Sequence, residues 1–224
     1  MKKLYNFLSK LLYKKHIHLM RSLLYLERET LIDTAHLDYA RLGVLELCAH
    51  EVHAKNIKGS AAELGVFQGG FAKYMNAVFP DRPLYLFDTF EGFNQQDIAK
   101  EKKLGINYKH IDFSKTNIDL VLQKMKHPER CIVRKGFFPK TAEGLENETF
   151  CLVSLDADLY EPLLQGLEFF YQRLSPGGYI MVHDFNNDFY KGARKAVDEF
   201  CSANKVSFVP IPDIGGSVII NKPL

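Results

Sequence analysis

No stretch of this 224-residue chain approaches the roughly 20 consecutive apolar residues of a membrane span, so the sequence offers no transmembrane helix. Internal repeats and low-complexity tracts are also missing, which argues against solenoids and disordered arrays. Cysteine is sparse: Cys48, Cys131, Cys151 and Cys201 lie far apart with no C-x-x-C pair, so neither a zinc ribbon nor a redox dithiol is indicated. Cys131 and Cys151 fall in apolar, strand-like runs and read as small buried hydrophobes in a reducing cytoplasm. Charge of either sign is not in excess. With 29 Lys and Arg against 27 Asp and Glu, net +2, composition gives no argument for a nucleic-acid partner. A secretory signal is not expected either, because Lys10, Lys14 and Lys15 interrupt the apolar stretch that an h-region needs. What remains, 46% hydrophobic and 25% charged residues, is the composition of a soluble globular domain, and the length suits one α/β domain with an appendage.

One segment breaks the charge balance. Residues 1–26 hold Lys2, Lys3, Lys10, Lys14, Lys15 and Arg21 and no carboxylate, with apolar residues recurring at helical spacing from Leu4 to Leu24. Residues 1–37 are therefore expected to form a basic amphipathic helical segment. It either packs with a solvated basic face or serves as a membrane-surface, lid or homodimer helix. Residues 38–224 are expected to form the catalytic domain. Its predicted strands are 61–64, 84–88, 131–134, 150–155, 179–182, 206–209 and 218–220. Helices are predicted through Leu47 and over 71–78, 118–125, 162–174 and 192–201, with a short one near 141–144 and a turn at 175–178. Strands separated by helices require right-handed crossovers and a mostly parallel sheet covered on both faces. The last two strands, joined by residues 210–216, suit an antiparallel edge hairpin. The expectation is an α/β, Rossmann-like sheet of seven strands.

The run Glu63-Leu64-Gly65-Val66-Phe67-Gln68-Gly69-Gly70 ends a strand and opens a helix, where a glycine turn lets a ligand approach free backbone N–H groups. Asp88 closes the next strand 19 residues after Gly69, about the offset at which a carboxylate reaches ribose hydroxyls. Taken singly, these features also fit a plain tight turn and a surface salt bridge. Glu63 would repel a dinucleotide pyrophosphate, whereas S-adenosylmethionine carries a sulfonium and an ammonium that a carboxylate attracts. After the third strand, Gly136 and Phe137 can border an adenine ring.

The fourth strand ends in Asp156-Ala157-Asp158, and the fifth in His183-Asp184. Adjacent strand tips lie about 5 Å apart, so Asp156, His183 and Asp184 can converge on one ion. Oxygen-rich ligation favours Mg²⁺, although an imidazole also suits other divalent cations. Asp184 as a turn cap and His183 as a satisfied core histidine are the alternatives.

The segments AELGVFQGGF, LFDTFEGF, KGFFPKTA, SLDADLYEP and LSPGGYIMVHDF resemble the macrocin and mycinamicin O-methyltransferase family over about residues 38–224. The resemblance implies a class I methyltransferase fold, S-adenosylmethionine and Mg²⁺ as cofactors, and a sugar hydroxyl of a glycan or secondary metabolite as acceptor. It implies Asp156 and Asp184 as metal ligands and Asp158 as general base. His183 stands where antibiotic-pathway members carry another Asp, and is read as third ligand or acid-base partner. The donor contacts expected are Glu63, Gly65, Val66, Phe67, Gly69, Asp88, Thr89, Gly136, Phe137 and Asp156. Two other readings are a nicotinamide-dependent oxidoreductase, which the loop spacing and Glu63 disfavour, and a non-catalytic glycan-assembly subunit, which the paired aspartates disfavour.

Overall fold

The computed structural model describes residues 7, 8, 11, 12, 38–106 and 111–224. Phe7, Leu8, Leu11 and Leu12 are helical; the rest of the segment over residues 1–37, with the membrane and dimer readings attached to it, lies outside the described residues. The chain divides into two units between Thr30 and Leu31, and the sheet, its helices and the cavity at its edge all belong to the unit Leu31–Leu224. Among the described residues no helix is long and apolar enough to cross a membrane.

Seven strands form one sheet in the order β3-β2-β1-β4-β5-β7-β6. They are β1 (Ser60–Leu64), β2 (Leu84–Asp88), β3 (Cys131–Lys135), β4 (Phe150–Leu155), β5 (Leu174–Val182), β6 (Val209–Pro210) and β7 (Val218–Asn221). The first five are parallel, and β7 runs antiparallel to both β5 and β6. The central strands β1 and β4 are buried along their whole length, as expected for parallel strands covered on both faces. Two apolar cores result. Val153 and Leu155 join Phe87, Phe150 and Phe170 in one, while Leu152 joins Leu42, Leu45 and Met75 in the other.

Among the described residues six α-helices accompany the sheet: α1 (Tyr39–Ala54), α2 (Ala72–Val78), α3 (Gln95–Lys103), α4 (Ile118–Leu122), α5 (Tyr160–Arg173) and α6 (Lys191–Asn204). Helix α1 starts where the Asp38 carboxylate accepts the backbone N–H groups of Ala40 and Arg41, the orphan donors of its first turn. Its Leu42, Leu45, Ala49 and Val52, spaced by three and four, form the buried stripe. Helix α5 approaches the sheet closely at Gly166, where a Cβ would lie 2.9 Å from Leu64 Cδ2. That contact seats α5 directly beneath the tips of β1 and β4.

Three details differ from the sequence reading. Residues 175–178, expected as a turn, belong to β5, whose pairing jumps from Leu174 opposite Phe150 to Tyr179 opposite Leu152. A bulge with Gly177 at φ +81° absorbs the extra residues. The sixth strand is only Val209–Pro210, because Pro210 removes a ladder donor. Helix α3 was not anticipated at all; its buried residues are Asp97, Ile98 and Glu101, so it presents no apolar periodicity to read.

Candidate active site

Strand register aligns the residues that matter. Leu64 pairs with Phe87 on one side and Leu155 on the other, and Leu155 pairs with Val182. The next residue of each strand therefore falls in one row across the carboxyl edge of the sheet: Asp88, Gly65, Asp156, His183. Ligands in open α/β sheets bind at this edge. Here a cavity of about 350 Å³ opens, lined among others by Glu63, Gly65, Val66, Phe67, Asp88, Thr89, Gly136 and Phe137, and by Asp156, Asp158, His183 and Asp184. Of the sequence-selected residues Gly69 alone is not on this lining. With φ +73° it turns the loop, and a Cβ there would press to 3.0 Å from Val121 on α4; the neighbouring Gly70 faces the cavity.

The β1 loop is held by backbone geometry. Gly65 has φ +88°, and a Cβ on it would overlap the carbonyl of Asp156. Asp88 Oδ2 accepts the N–H groups of Val66 (2.8 Å) and Phe67 (2.7 Å), and its Oδ1 accepts that of Phe90 (2.6 Å). The expected ribose ligand is thus also the loop's own clamp. Glu63 is 1% exposed, and its Oε2 has no hydrogen-bond partner although the residue borders the cavity. Burial raises its carboxyl well above the usual range; Arg41 opposes this, and Asp156 and Asp88 add to it.

The β4 and β5 tips are held by charge. Asp156 Oδ2 lies 2.9 Å from an Arg41 guanidinium nitrogen, while its Oδ1 lies 3.0 Å from His183 Nδ1. The same Nδ1 is 3.0 Å from Asp184 Oδ2, yet it is aligned as a hydrogen bond to neither carboxylate. Burial would raise the Asp156 carboxyl, but Arg41 and His183 outweigh it and hold the group well below the ordinary range. For His183 burial acts downward, and the Asp156 charge overcomes it, pushing the imidazole up to about 10. Asp158 moves the other way: burial, then the charges of Asp156 and Asp184, raise it well above an ordinary aspartate. Asp158 and Asp184 both adopt left-handed backbone, φ +60° and +61°, a conformation Asp tolerates better than most residues. Asp184 is fixed by the Asn187 amide, which donates to its Oδ1 at 2.6 Å.

Oxygen and nitrogen atoms of Asp156, His183 and Asp184 lie within 4.8 Å of one another. A ring nitrogen 3.0 Å from two carboxylates marks a place for one positive charge, the ring's own proton or, once that proton is lost, a shared cation. Arg41 was not foreseen. It is 8% exposed, its guanidinium carbon stands 3.9 Å from the Phe71 ring centre, and it binds Ser154 as well as Asp156. Nothing in local sequence distinguishes it from a surface arginine of a helix. Gly215 was also missed: a Cβ there would overlap the His183 ring, so the loop before β7 closes directly over the imidazole.

The sequence profile of the family described as macrocin O-methyltransferase (TylF) matches residues 28–220. Among characterised relatives, the 8-demethyl-8-(2,3-dimethoxy-alpha-L-rhamnosyl)-tetracenomycin-C 4'-O-methyltransferase of Streptomyces olivaceus is 27% identical over 191 residues, 79% of this chain and 70% of the relative. Demethyldecarbamoylnovobiocin O-methyltransferase of Streptomyces niveus is 25% identical over 177 residues, 71% of this chain and 64% of its own length. The solved structure of the O-methyltransferase NovP aligns with a TM-score of 0.65 at 20% identity, covering 83% of this chain and 80% of NovP, a likeness of fold.

Proposed function

The chain belongs to the macrocin O-methyltransferase family and is an S-adenosylmethionine-dependent methyltransferase, and we propose that it methylates a sugar hydroxyl with the help of a divalent cation. The relatives support the acceptor class: the Streptomyces olivaceus enzyme is named for a 4' hydroxyl of a rhamnosyl compound. The observation that carries the reading is the row of Asp88, Gly65, Asp156 and His183 along one sheet edge, with the unpartnered Glu63 carboxylate oxygen beside it.

For the donor, Glu63 is the group to pair with the methionine ammonium; the Gly65, Val66, Phe67 and Gly69 N–H groups are engaged within the protein, which leaves those of Gln68 and Gly70 to meet the methionine carboxylate. Asp88 retains lone pairs for ribose hydroxyls on a carboxylate already oriented by three backbone donors. Thr89, Gly136 and Phe137 border the same cavity on the side where adenine would lie. A divalent cation would be held by Asp156 Oδ1, His183 Nδ1 and Asp184 Oδ2, with His183 giving up its Nδ1 proton to the solvent and Arg41 keeping the other Asp156 oxygen.

When bound, the donor supplies an electrophilic methyl carbon on sulfonium, and the cation lowers the pKa of a neighbouring hydroxyl. Asp158 is the base. It lines the cavity beside the ion ligands, on a left-handed backbone (φ +60°) just past the end of β4, where a hydroxyl held near the cation would meet it. As the acceptor oxygen forms its bond to methyl and the carbon–sulfur bond breaks, the hydroxyl proton passes to Asp158, leaving S-adenosylhomocysteine and the methyl ether. Positioning by the rigid loop supplies much of the rate.

The test is calorimetric titration of the protein with S-adenosylmethionine, followed by transfer of labelled methyl to a pool of extracted glycans and sugar metabolites with and without EDTA. Donor binding with EDTA-sensitive labelling of sugar is expected. Labelling that survives exhaustive chelation removes the cation from the proposal, and labelling of protein or nucleic acid alone removes the sugar.

A further inference from the structure

The donor and ion groups leave one acidic element of the cavity unused. Asp97, in the first turn of α3, is 6% exposed and borders the cavity, and no group among the described residues pairs with its carboxylate. One turn further, Glu101 is 1% exposed; it accepts the Tyr160 backbone N–H, and its Oε2 has no partner. Burial, then the charges of Glu161 and Glu101, push the Asp97 carboxyl up to about 7. Glu161 is paired with Lys100 at 3.2 Å and Glu101 accepts the Tyr160 N–H, so Asp97 is the acid of the three whose ionised form, beside those charges, a further cation would relieve.

Rings stand around this end of the cavity. Phe93 and Phe113, both on its lining, meet edge to face at 5.0 Å, and Phe93 reaches Tyr190 at 6.5 Å. Tyr190 in turn feels the charge of Asp158 and Asp184, so the aromatic row runs from the Asp97 end towards the base. Helix α3 also packs on α5, which begins two residues after Asp158. A buried carboxylate and aromatic rings lining one cavity are the elements of a receptor for an organic ammonium.

From this arrangement we infer that the acceptor is an amino sugar, its protonated amine held between Asp97 and the rings of Phe93 and Phe113 while a hydroxyl of the same sugar faces Asp158. The inference rests on the methyl-transfer reading above and names the acceptor class within it. Its test uses the full-length protein saturated with S-adenosylhomocysteine and Mg²⁺, titrated by ligand-observed NMR. The probes are glucosamine, 3-amino-3-deoxyglucose and 4-amino-4-deoxyglucose, each beside its N-acetyl counterpart. At least one amine binds about tenfold tighter than its N-acetyl form. Asp97→Asn abolishes that preference and leaves S-adenosylhomocysteine affinity unchanged, and Phe113→Leu weakens the preference. The inference is overturned if no amine is preferred by the wild-type protein, a comparison that stands even if Asp97→Asn does not fold. It is equally overturned if Asp97→Asn keeps the preference, or loses S-adenosylhomocysteine binding, which would assign Asp97 to the donor. Failure of the wild-type protein to bind S-adenosylhomocysteine at all marks the failure of the parent reading instead.

Discussion

On the β1–β2 side of the cavity one carboxylate, Asp88, is satisfied by three backbone N–H groups, and the loop it clamps is shaped by glycine conformation. On the β4–β5 side Asp156, Asp158 and Asp184 crowd together, balanced by Arg41 and His183. The first arrangement is rigid because its partners are parts of the main chain and cannot titrate. The second is held by charges whose protonation states depend on one another, so it responds to anything that adds or removes a charge. Glu63 sits between the two, influenced by Arg41, Asp156, Asp88 and His183 together. A methyltransferase gains from this division: the donor must be held in one geometry, while the acceptor hydroxyl must lose a proton.

The largest expected effect separates the two sides. Asp158→Asn should lower turnover by roughly 10²–10⁴-fold, the usual contribution of a general base, while calorimetry finds S-adenosylmethionine binding unchanged. Equal loss of both would mean the sides are not separable. Gly65→Ala joins them instead, because its Cβ would overlap the Asp156 carbonyl and the backbone there is left-handed. It should abolish donor binding and destabilise the fold by about 3 kcal/mol or more, read by urea denaturation. A variant as stable as wild type would show that the loop is softer than described. Glu63→Gln should weaken donor binding about 10- to 100-fold through loss of a charged hydrogen bond, without lowering the melting temperature, since the buried carboxylate has an unsatisfied oxygen in the free protein. Unchanged affinity would take Glu63 out of the donor site.

A further effect, at Asp97, is visible only as a function of pH. Its folded pKa, about 7, lies above the ordinary carboxyl value of about 3.9, so folding favours the protonated form. The associated stability is full below about pH 4 and is lost as pH rises through about 7. Asp97→Asn does not titrate, so it should match the wild type near pH 4 and become progressively more stable than it towards pH 8, as measured by urea denaturation across that range. A constant difference would place the carboxylate in a more hydrated setting. Extra stability on removing a buried acid is the signature of a residue kept for binding rather than for folding.

Much of this was legible in the sequence for local reasons. Strands β1, β2 and β4 are short apolar runs with polar tips, and parallel pairing of such runs brings the tips to one edge whatever the details of packing. Asp156, His183 and Asp184 could be grouped on that basis. Arg41 and Asp97 could not, because each is a polar residue on a helix whose burial depends on which surface the helix meets. Arg41 lies 115 positions from its partner Asp156, and no periodicity connects them. The bulge in β5 was hidden because Ser175-Pro176-Gly177-Gly178 has the composition of a turn, and only pairing with β4 on one side shows it to be part of a strand.

The amino-acid sequence alone thus determined the strand order's raw material, the glycine turn and the acids at the strand ends, since these follow from backbone preferences and the alternation of apolar and polar runs. Tertiary structure decided which of those acids are ionised, which are clamps and which are left unpaired. Charge interactions and burial depend on distances between residues far apart in the chain, and those distances exist only once the sheet has closed.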